Sequence, residues 1–287
     1  MKKILVSFLT VFLFLTAANL TAAKAESFDV VLNGSPGGTY HQRTTLLVEA
    51  LKSAGHRVEI VEYNKWQVAA KYIQETKKPS IMVWSTTSAL AGNLVHTKKN
   101  FVAIEYISPM FLCATKDGQN KKEIKVGYLK GIDPTFYVNW LKKQGKVAKV
   151  LPYENSGSML QAMLGGDLDY KIQEQSKSKQ YMSKEEGTCI FNSSDKEVIG
   201  VPSVTKFGTK VGPIAIRTIV GYNIDADKMR DIVLPAIRKS SEFSEWHQKN
   251  EFVVLDNTNT RAQELKLAQK SEQDFKPYTA PKLKLGN

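Results

Sequence analysis

Apolar and polar positions follow one another along this chain as short strand, turn and helix, repeated from end to end. Phe28 to Leu32 is an apolar run suited to a buried strand. The turn Asn33-Gly34-Ser35-Pro36-Gly37-Gly38-Thr39-Tyr40-His41 leads from it into Gln42 to Ala54, where Leu46, Leu47, Ala50 and Leu51 recur at helical spacing and Gly55 closes the helix. Arg57 to Tyr63 alternates as a strand, Trp66 to Thr76 reads as a helix stopped by Lys77, Lys78 and Pro79, and Ile81 to Trp84 is a short buried strand. Ser85-Thr86-Thr87-Ser88 then opens a helix through Val95, and Phe101–Ile107 and Met110–Thr115 read as two further strands. After the polar stretch Lys116 to Glu123 the rhythm resumes. Ile124 to Tyr128 is a strand, and Asp133 and Pro134 start a helix that runs to Gly145. Lys149 to Glu154 is a strand, Asn155-Ser156-Gly157-Ser158 opens a helix to Leu164, and Gly165-Gly166-Asp167 turns the chain into Leu168 to Glu174. Thr188 to Ser193 and Gly212 to Tyr222 are the last strands. Ala226 to Asn250 is a long helix that Pro235 is predicted to kink or break, and Thr260 to Phe275 is a final amphipathic helix. Strands alternating with helices predict an α/β fold with largely parallel sheets.

The first turn carries the chemistry that this pattern suggests. A glycine-rich turn between strand and helix leaves backbone N–H groups pointing one way, and the helix dipole adds to their field, which makes an anion site. The spacing fits neither a P-loop nor a dinucleotide fingerprint. The plain alternative is a tight turn whose glycines serve only positive φ. Ser85, Thr86 and Thr87 supply hydroxyls at a second strand-to-helix junction, as cap acceptors or as ligand donors.

The first residues set the compartment. Lys2 and Lys3 precede an apolar run from Ile4 to Ala17 and an Ala23-Lys24-Ala25 site, the pattern of a cleaved signal peptide over 1–25, so an exported, periplasmic mature chain is expected from Glu26. The whole chain of 287 residues has a net charge of +12. Cleavage removes three of its 40 basic residues and none of the 28 acidic ones, leaving +9. The excess favours anionic partners, but the basic residues are scattered rather than gathered in a stripe, which speaks against nucleic acid. Cys113 and Cys189 are the only cysteines; export permits a disulfide, and two small buried residues is an equal reading. They and four scattered histidines show no metal spacing, and no cofactor motif is present.

Three signatures carry a resemblance. Pro36-Gly37-Gly38 opens the first helix; Val150 to Ser158 is followed by Leu160 to Asp169; and Val201-Pro202-Ser203-Val204-Thr205-Lys206-Phe207-Gly208 comes third. In this order the chain resembles the extracytoplasmic solute receptors of tripartite tricarboxylate transporters, the Bug family. The resemblance implies a type II periplasmic binding protein fold: two α/β lobes joined by crossing strands and closing on an organic-acid ligand. It implies lobe 1 over 26–112, lobe 2 over 113–195, a return to lobe 1 over 196–275 and a loose tail over 276–287. The implied partner is a two-subunit membrane permease, the receptor being a monomer and not an enzyme. One ligand carboxylate would meet the N–H groups of Gly37, Gly38 and Thr39 with Ser35 and His41 nearby, Ser85, Thr86 and Thr87 completing that side. The second lobe would offer Lys130, Asp133, Ser156, Gly157 and Gln173. Hinge motion would fall near Cys113 and Cys189. By spacing, His41 and Gln173 stand where the family usually has Asp, an exchange that favours an anion over an ammonium group. A ligand-loaded sensor docking on a membrane signalling partner would look the same in sequence, and neighbouring genes or a pull-down from membrane extract would separate the two. An exported hydrolase would need a nucleophile elbow or a metal motif, and neither is present.

Overall fold

The computed structural model describes residues 25–34, 36, 38–63, 65–86, 94–130, 132–183, 187–252, 254 and 259–275. Residues 1–24 of the signal peptide expected over 1–25, Ser35, Gly37, Thr87 with most of the helix expected after it, and the tail 276–287 lie outside them.

The first unit is β1 (Ser27–Asn33), α1 (Thr39–Ser53), β2 (Arg57–Tyr63), α2 (Trp66–Glu75) and β3 (Ser80–Ser85). The long strand β4 (Phe101–Thr115) leads to α3 (Lys116–Asn120), β5 (Glu123–Leu129), α4 (Thr135–Lys143), β6 (Val147–Tyr153), α5 (Ser156–Leu164), β7 (Tyr170–Glu174), α6 (Gln175–Met182) and β8 (Gly187–Asn192). A 3₁₀ turn (Val204–Phe207), β9 (Ile214–Tyr222), α7 (Ala226–Lys239), α8 (Ser241–Lys249) and α9 (Arg261–Phe275) complete the chain.

The sheet order is β2-β1-β3-β9-β4-β7-β5-β6, with β8 also paired to β4. β1, β2 and β3 are mutually parallel, as are β5, β6 and β7, but every pairing of β4 and β9 is antiparallel. The sheet is therefore mixed, where alternation of strand and helix predicted mostly parallel pairing. The reasons are β9, which returns from the far end of the chain and inserts between β3 and β4, and β4 itself, which runs antiparallel to β7 and β8 as well.

β4 joins the two halves. Phe101 to Pro109 pair with β9, and Met110 to Thr115 pair with β7 and β8. The sequence divides this run at Pro109, yet one strand passes through it. Pro109 sits opposite Ile214, the first residue of β9, where one partner strand gives way to another, so its missing N–H interrupts no ladder.

Apolar side chains fill both faces of each half. Val30, Leu47, Ile81 and Val233 pack under α1 and α7, and Val31, Ala69, Ile73 and Trp84 under α2. In the other half Leu112, Val126, Tyr137 and Phe191 form one core, and Phe111, Met159 and Leu168 another. Val198, Val201 and Val204 pack into these second-half cores. Cys113 and Cys189 are joined as a disulfide between β4 and β8. Asp169 is buried and accepts from Lys121 Nζ at 2.7 Å and from the Lys125 N–H at 2.8 Å, a structural use of that carboxylate.

Three further differences have local causes. The helix expected over Ala226–Asn250 continues through Pro235 and breaks at Ser240 instead. Pro235 is exposed, so the carbonyl it leaves without a partner faces water, and Ser240 accepts from the Phe243 N–H to start a new helix. The helix expected from Asp133 begins at Thr135, with Pro134 as its cap residue. α6 has no apolar periodicity, and only Gln175, Ser178 and Tyr181 are buried on it, so the pattern of its residues announced no helix.

Candidate functional site

The carboxyl ends of β1, β2 and β3 and those of β5, β6 and β7 face one another across β4 and β9. In open α/β sheets such ends are where ligands bind. Among the contacts that span the gap, Thr39 Oγ1, on the first residue of α1, lies 3.3 Å from Ser176 Oγ, on the second residue of α6, and Arg217 on β9 is ion-paired with Glu174 at the end of β7.

The helix starts along these edges fall into two kinds. Gly38, the cap residue of α1, is extended (φ −71°, ψ 161°) and offers no side chain to its helix. Glu174, the cap residue of α6, is extended (φ −80°, ψ 164°) and makes no side-chain cap bond either, because its carboxylate is turned to Arg217. Neither cap residue satisfies the first backbone N–H groups of its helix with its own side chain. The starts of α4 and α5 are closed: Asp133 Oδ1 accepts from the Thr135 N–H at 2.7 Å, and Asn155 Oδ1 from the Ser158 N–H at 2.9 Å.

The remaining expected site residues are distributed as follows. Ser85 is buried at the end of β3 beside Arg217 in the ladder. Thr86 Oγ1 accepts from the Ile216 N–H at 3.1 Å and lies 2.8 Å from Ser271 Oγ on α9, so this hydroxyl ties three segments of the fold together. His41 is half-buried on the first turn of α1. Lys130 is ion-paired with Glu154 at the surface, Ser156 is half-buried and Gly157 exposed on the first turn of α5. Gln173 is buried, and its Nε2 donates to Ser178 Oγ at 3.3 Å beneath α6.

Beneath the Thr39–Ser176 contact lies a buried polar cluster. Arg43 Nε donates to Glu105 Oε2 at 2.9 Å, its Nη2 bonds the same oxygen, and His247 Nε2 lies 3.1 Å from Glu105 Oε1. Burial alone pushes the Glu105 carboxyl up, but the Arg43 guanidinium and the bonds from His247 and Arg43 outweigh it and hold it down at about 2. Burial lowers the Arg43 and Arg217 guanidinium groups, and the carboxylates of Glu105 and Glu174 more than reverse that, so both remain firmly charged. Tyr106 is stacked on Phe252 with ring centroids 4.0 Å apart, and burial raises its phenol well above the ordinary range despite the two nearby arginines. Arg217 Nη1 donates to Tyr40 OH at 2.9 Å.

Sequence reasoning did not select Arg43, Glu105, Tyr106, Glu174 or Arg217. A signal was present: Glu105 and Arg217 stand inside otherwise apolar strands, Phe101–Thr115 and Ile214–Tyr222, and such residues enter a core only when paired.

No family model matches the chain, and no curated protein matches it in sequence. Solved structures do. The periplasmic binding protein BugD superposes with a TM-score of 0.69 at 12% identity, covering 87% of this chain and 95% of its own. The fold is that of a two-lobed periplasmic binding protein. MatC from Rhodopseudomonas palustris, solved with bound malate, gives a TM-score of 0.69 at 14% identity over 89% of this chain and 99% of that one. An R. palustris protein solved with adipate gives 0.68 at 14% identity over 88% and 95%. In this chain α1 and α6 meet at the seam between the two halves through Thr39 and Ser176. A separate groove of about 560 Å³ lies on the opposite face of the same strands. It is lined by Ile107 and Ile216, whose side chains alternate with those of Tyr106 and Arg217, and by Leu267 and Lys270 of α9.

Proposed function

We propose that this chain is an exported solute receptor of the Bug family that captures an organic carboxylate between its lobes and delivers it to a two-subunit membrane permease. One observation carries the reading: two helix starts that use no side-chain cap, those of α1 and α6, meet across the interlobe seam with Thr39 and Ser176 3.3 Å apart. Backbone N–H groups and two positive dipole ends converge there, which suits an anion and supplies no catalytic nucleophile or base. Structures sharing the fold were solved with malate and with adipate, in keeping with a carboxylate ligand. The first lobe is assigned to 26–109 and 213–275. The second, given the packing of Val198, Val201 and Val204, runs from Met110 through Gly212 rather than stopping at Asp195. Of the second-lobe candidates, the α6 start is favoured over Lys130, Asp133, Ser156 and Gly157, whose segments are closed by Glu154, Thr135 and Asn155.

The test is Thr39→Pro. Proline suits the first position of a helix, and the extended Gly38 before it tolerates proline, so the change removes one N–H while leaving the helix intact. A hydrogen bond to a charged group contributes about 1.5–3 kcal/mol, so carboxylate affinity should fall roughly tenfold or more against a Thr39→Val control. Malate, succinate, adipate and citrate at one hundred times their dissociation constants should stabilise the parent protein by about 2.7 kcal/mol in thermal unfolding. An unresponsive parent, or equal affinity in Thr39→Pro and Thr39→Val, overturns the reading.

A further inference from the structure

The two buried arginines offer an internal comparison. On Arg43 the edge formed by Nε and Nη2 is filled: both nitrogens bond the carboxylate of Glu105, and both residues belong to the same half of the molecule. On Arg217 the equivalent edge is half-filled. Nη2 bonds Glu174, and Nε, on a residue only 5% exposed, has no hydrogen-bond partner among the described residues. An N–H sealed from water without an acceptor costs free energy, and a guanidinium edge is shaped for both oxygens of one carboxylate. Glu174 reaches it from the opposite half and in doing so leaves its own helix α6 uncapped.

Arg217 is also placed to take part in ligand capture. It is held on one side by Tyr40, the neighbour of Thr39, and on the other by Glu174, two residues before Ser176. The guanidinium therefore lies at the floor of the cleft, under the two open helix starts. Ser85 and Tyr106 flank it in the sheet.

We propose that Arg217 is the side chain that receives a charged end of the ligand, and that Glu174 is an internal carboxylate competing for the same edge. The inference rests on the carboxylate reading above and adds the group that determines specificity. A ligand carboxylate docks on Nε and Nη2 together, a two-point fit that Glu174 does not make. Glu174 is displaced and becomes available to its own helix start or to water. Because one carboxylate replaces another on the same cation, exchange needs no uncompensated buried charge on Arg217. A ligand carrying two carboxylates then spans the helix starts and the guanidinium, whereas a monocarboxylate must leave one of them to Glu174.

The experiment is calorimetric titration of the mature chain and its variants with succinate, malate and acetate. Glu174→Gln, close in shape and neutral, competes less well for the guanidinium and should bind the dicarboxylates at least threefold more tightly. Arg217→Gln should weaken succinate and malate by tenfold or more and reduce the preference for them over acetate. Arg217→Lys, which keeps the charge without the fork, should fall between. Should Arg217→Gln fail to fold by circular dichroism, the sign of the Glu174→Gln effect decides: weaker or equal dicarboxylate binding overturns the proposal. Dicarboxylate binding by the parent that Arg217→Gln leaves unchanged overturns this proposal alone. No heat from the parent with any of the three acids overturns this proposal together with the carboxylate reading.

Discussion

The two halves of the molecule are fastened by different chemistry. In the half built on β1, β2, β3 and β9, buried charged and polar pairs tie the helices into the fold. Arg43 and His247 converge on Glu105, Arg230 bonds Glu264, which also accepts from the Ile104 N–H at 2.8 Å, and His96 pairs with Glu272. In the half built on β5, β6, β7 and β8, a disulfide joins Cys113 to Cys189. An aromatic cluster of Tyr137, Trp140, Phe191 and Phe207 packs α4 and the 3₁₀ turn onto the sheet. The difference teaches where each half is vulnerable. Charge pairs respond to pH and to loss of one partner, whereas a covalent bridge responds to reductant and is indifferent to pH in this range.

The largest effect should come from unbalancing the first half. Arg43→Met leaves Glu105 buried beside His247 without its guanidinium, and removing one member of a buried pair typically costs about 3–5 kcal/mol, read as a drop in the urea midpoint. A loss below about 1 kcal/mol would show that the cluster is not what fastens this half. Next is the bridge, which joins residues 76 apart in sequence. Disulfides typically contribute about 2–4 kcal/mol, so reduction, or Cys113→Ala with Cys189→Ala, should cost about that much, and amide exchange should rise in β4 from Met110 onward and in β8 before it rises in β1 or β2. Uniform acceleration would erase the contrast between the halves.

Acid provides the third test. The Glu105 carboxyl is held at about 2 against an ordinary 4.5, so it contributes stability that is fully present above pH 4.5 and lost as pH falls through 2. Urea midpoints between those values should decline in the parent and decline less in a double variant, Arg43→Met with Glu105→Leu, and equal slopes would remove Glu105 as the cause. The smallest effect lies in the second half. Ile199 is a β-branched residue at φ +48°, followed by Gly200 at φ +74°, and a left-handed conformation costs such a residue about 1–2 kcal/mol. Ile199→Asn should raise stability by roughly 1 kcal/mol, less what its partial packing contributes, with a fall in melting temperature counting against strain at this turn.

Much of the fold was legible in local pattern. The apolar runs that became β1, β2, β3, β5 and β9 and the helical spacing of α1, α2 and α9 were read at nearly their observed bounds. Two features escaped for physical reasons. Pro109 looked like a strand end because a proline in a strand usually lacks a ladder partner, and only the changeover from β9 to β7 explains its tolerance. α6 is unassigned by local pattern because its helix is held by Tyr181 and Ser178 against the sheet and by Gln175 donating to the carbonyls of Asn250 and Glu251 from the other half. At the site, the glycine-rich start of α1 was visible because a turn's composition is local. Its counterpart was sought at α4 and α5, where small polar residues also open helices; there Asp133 and Asn155 cap their own helices, and the contact across the seam is made by α6.

By itself the sequence determined the order of strands and helices, the anion-suited turn before α1 and the pattern of an exported chain, because each depends on residues within a few positions of one another. Tertiary structure decided which helix start faces that turn, and it brought Arg217 to Glu174 across 43 residues and Arg43 to Glu105 across 62. Those pairings depend on where β9 inserts beside β4, a choice made by the packing of whole sheets, and no window of neighbouring residues contains it.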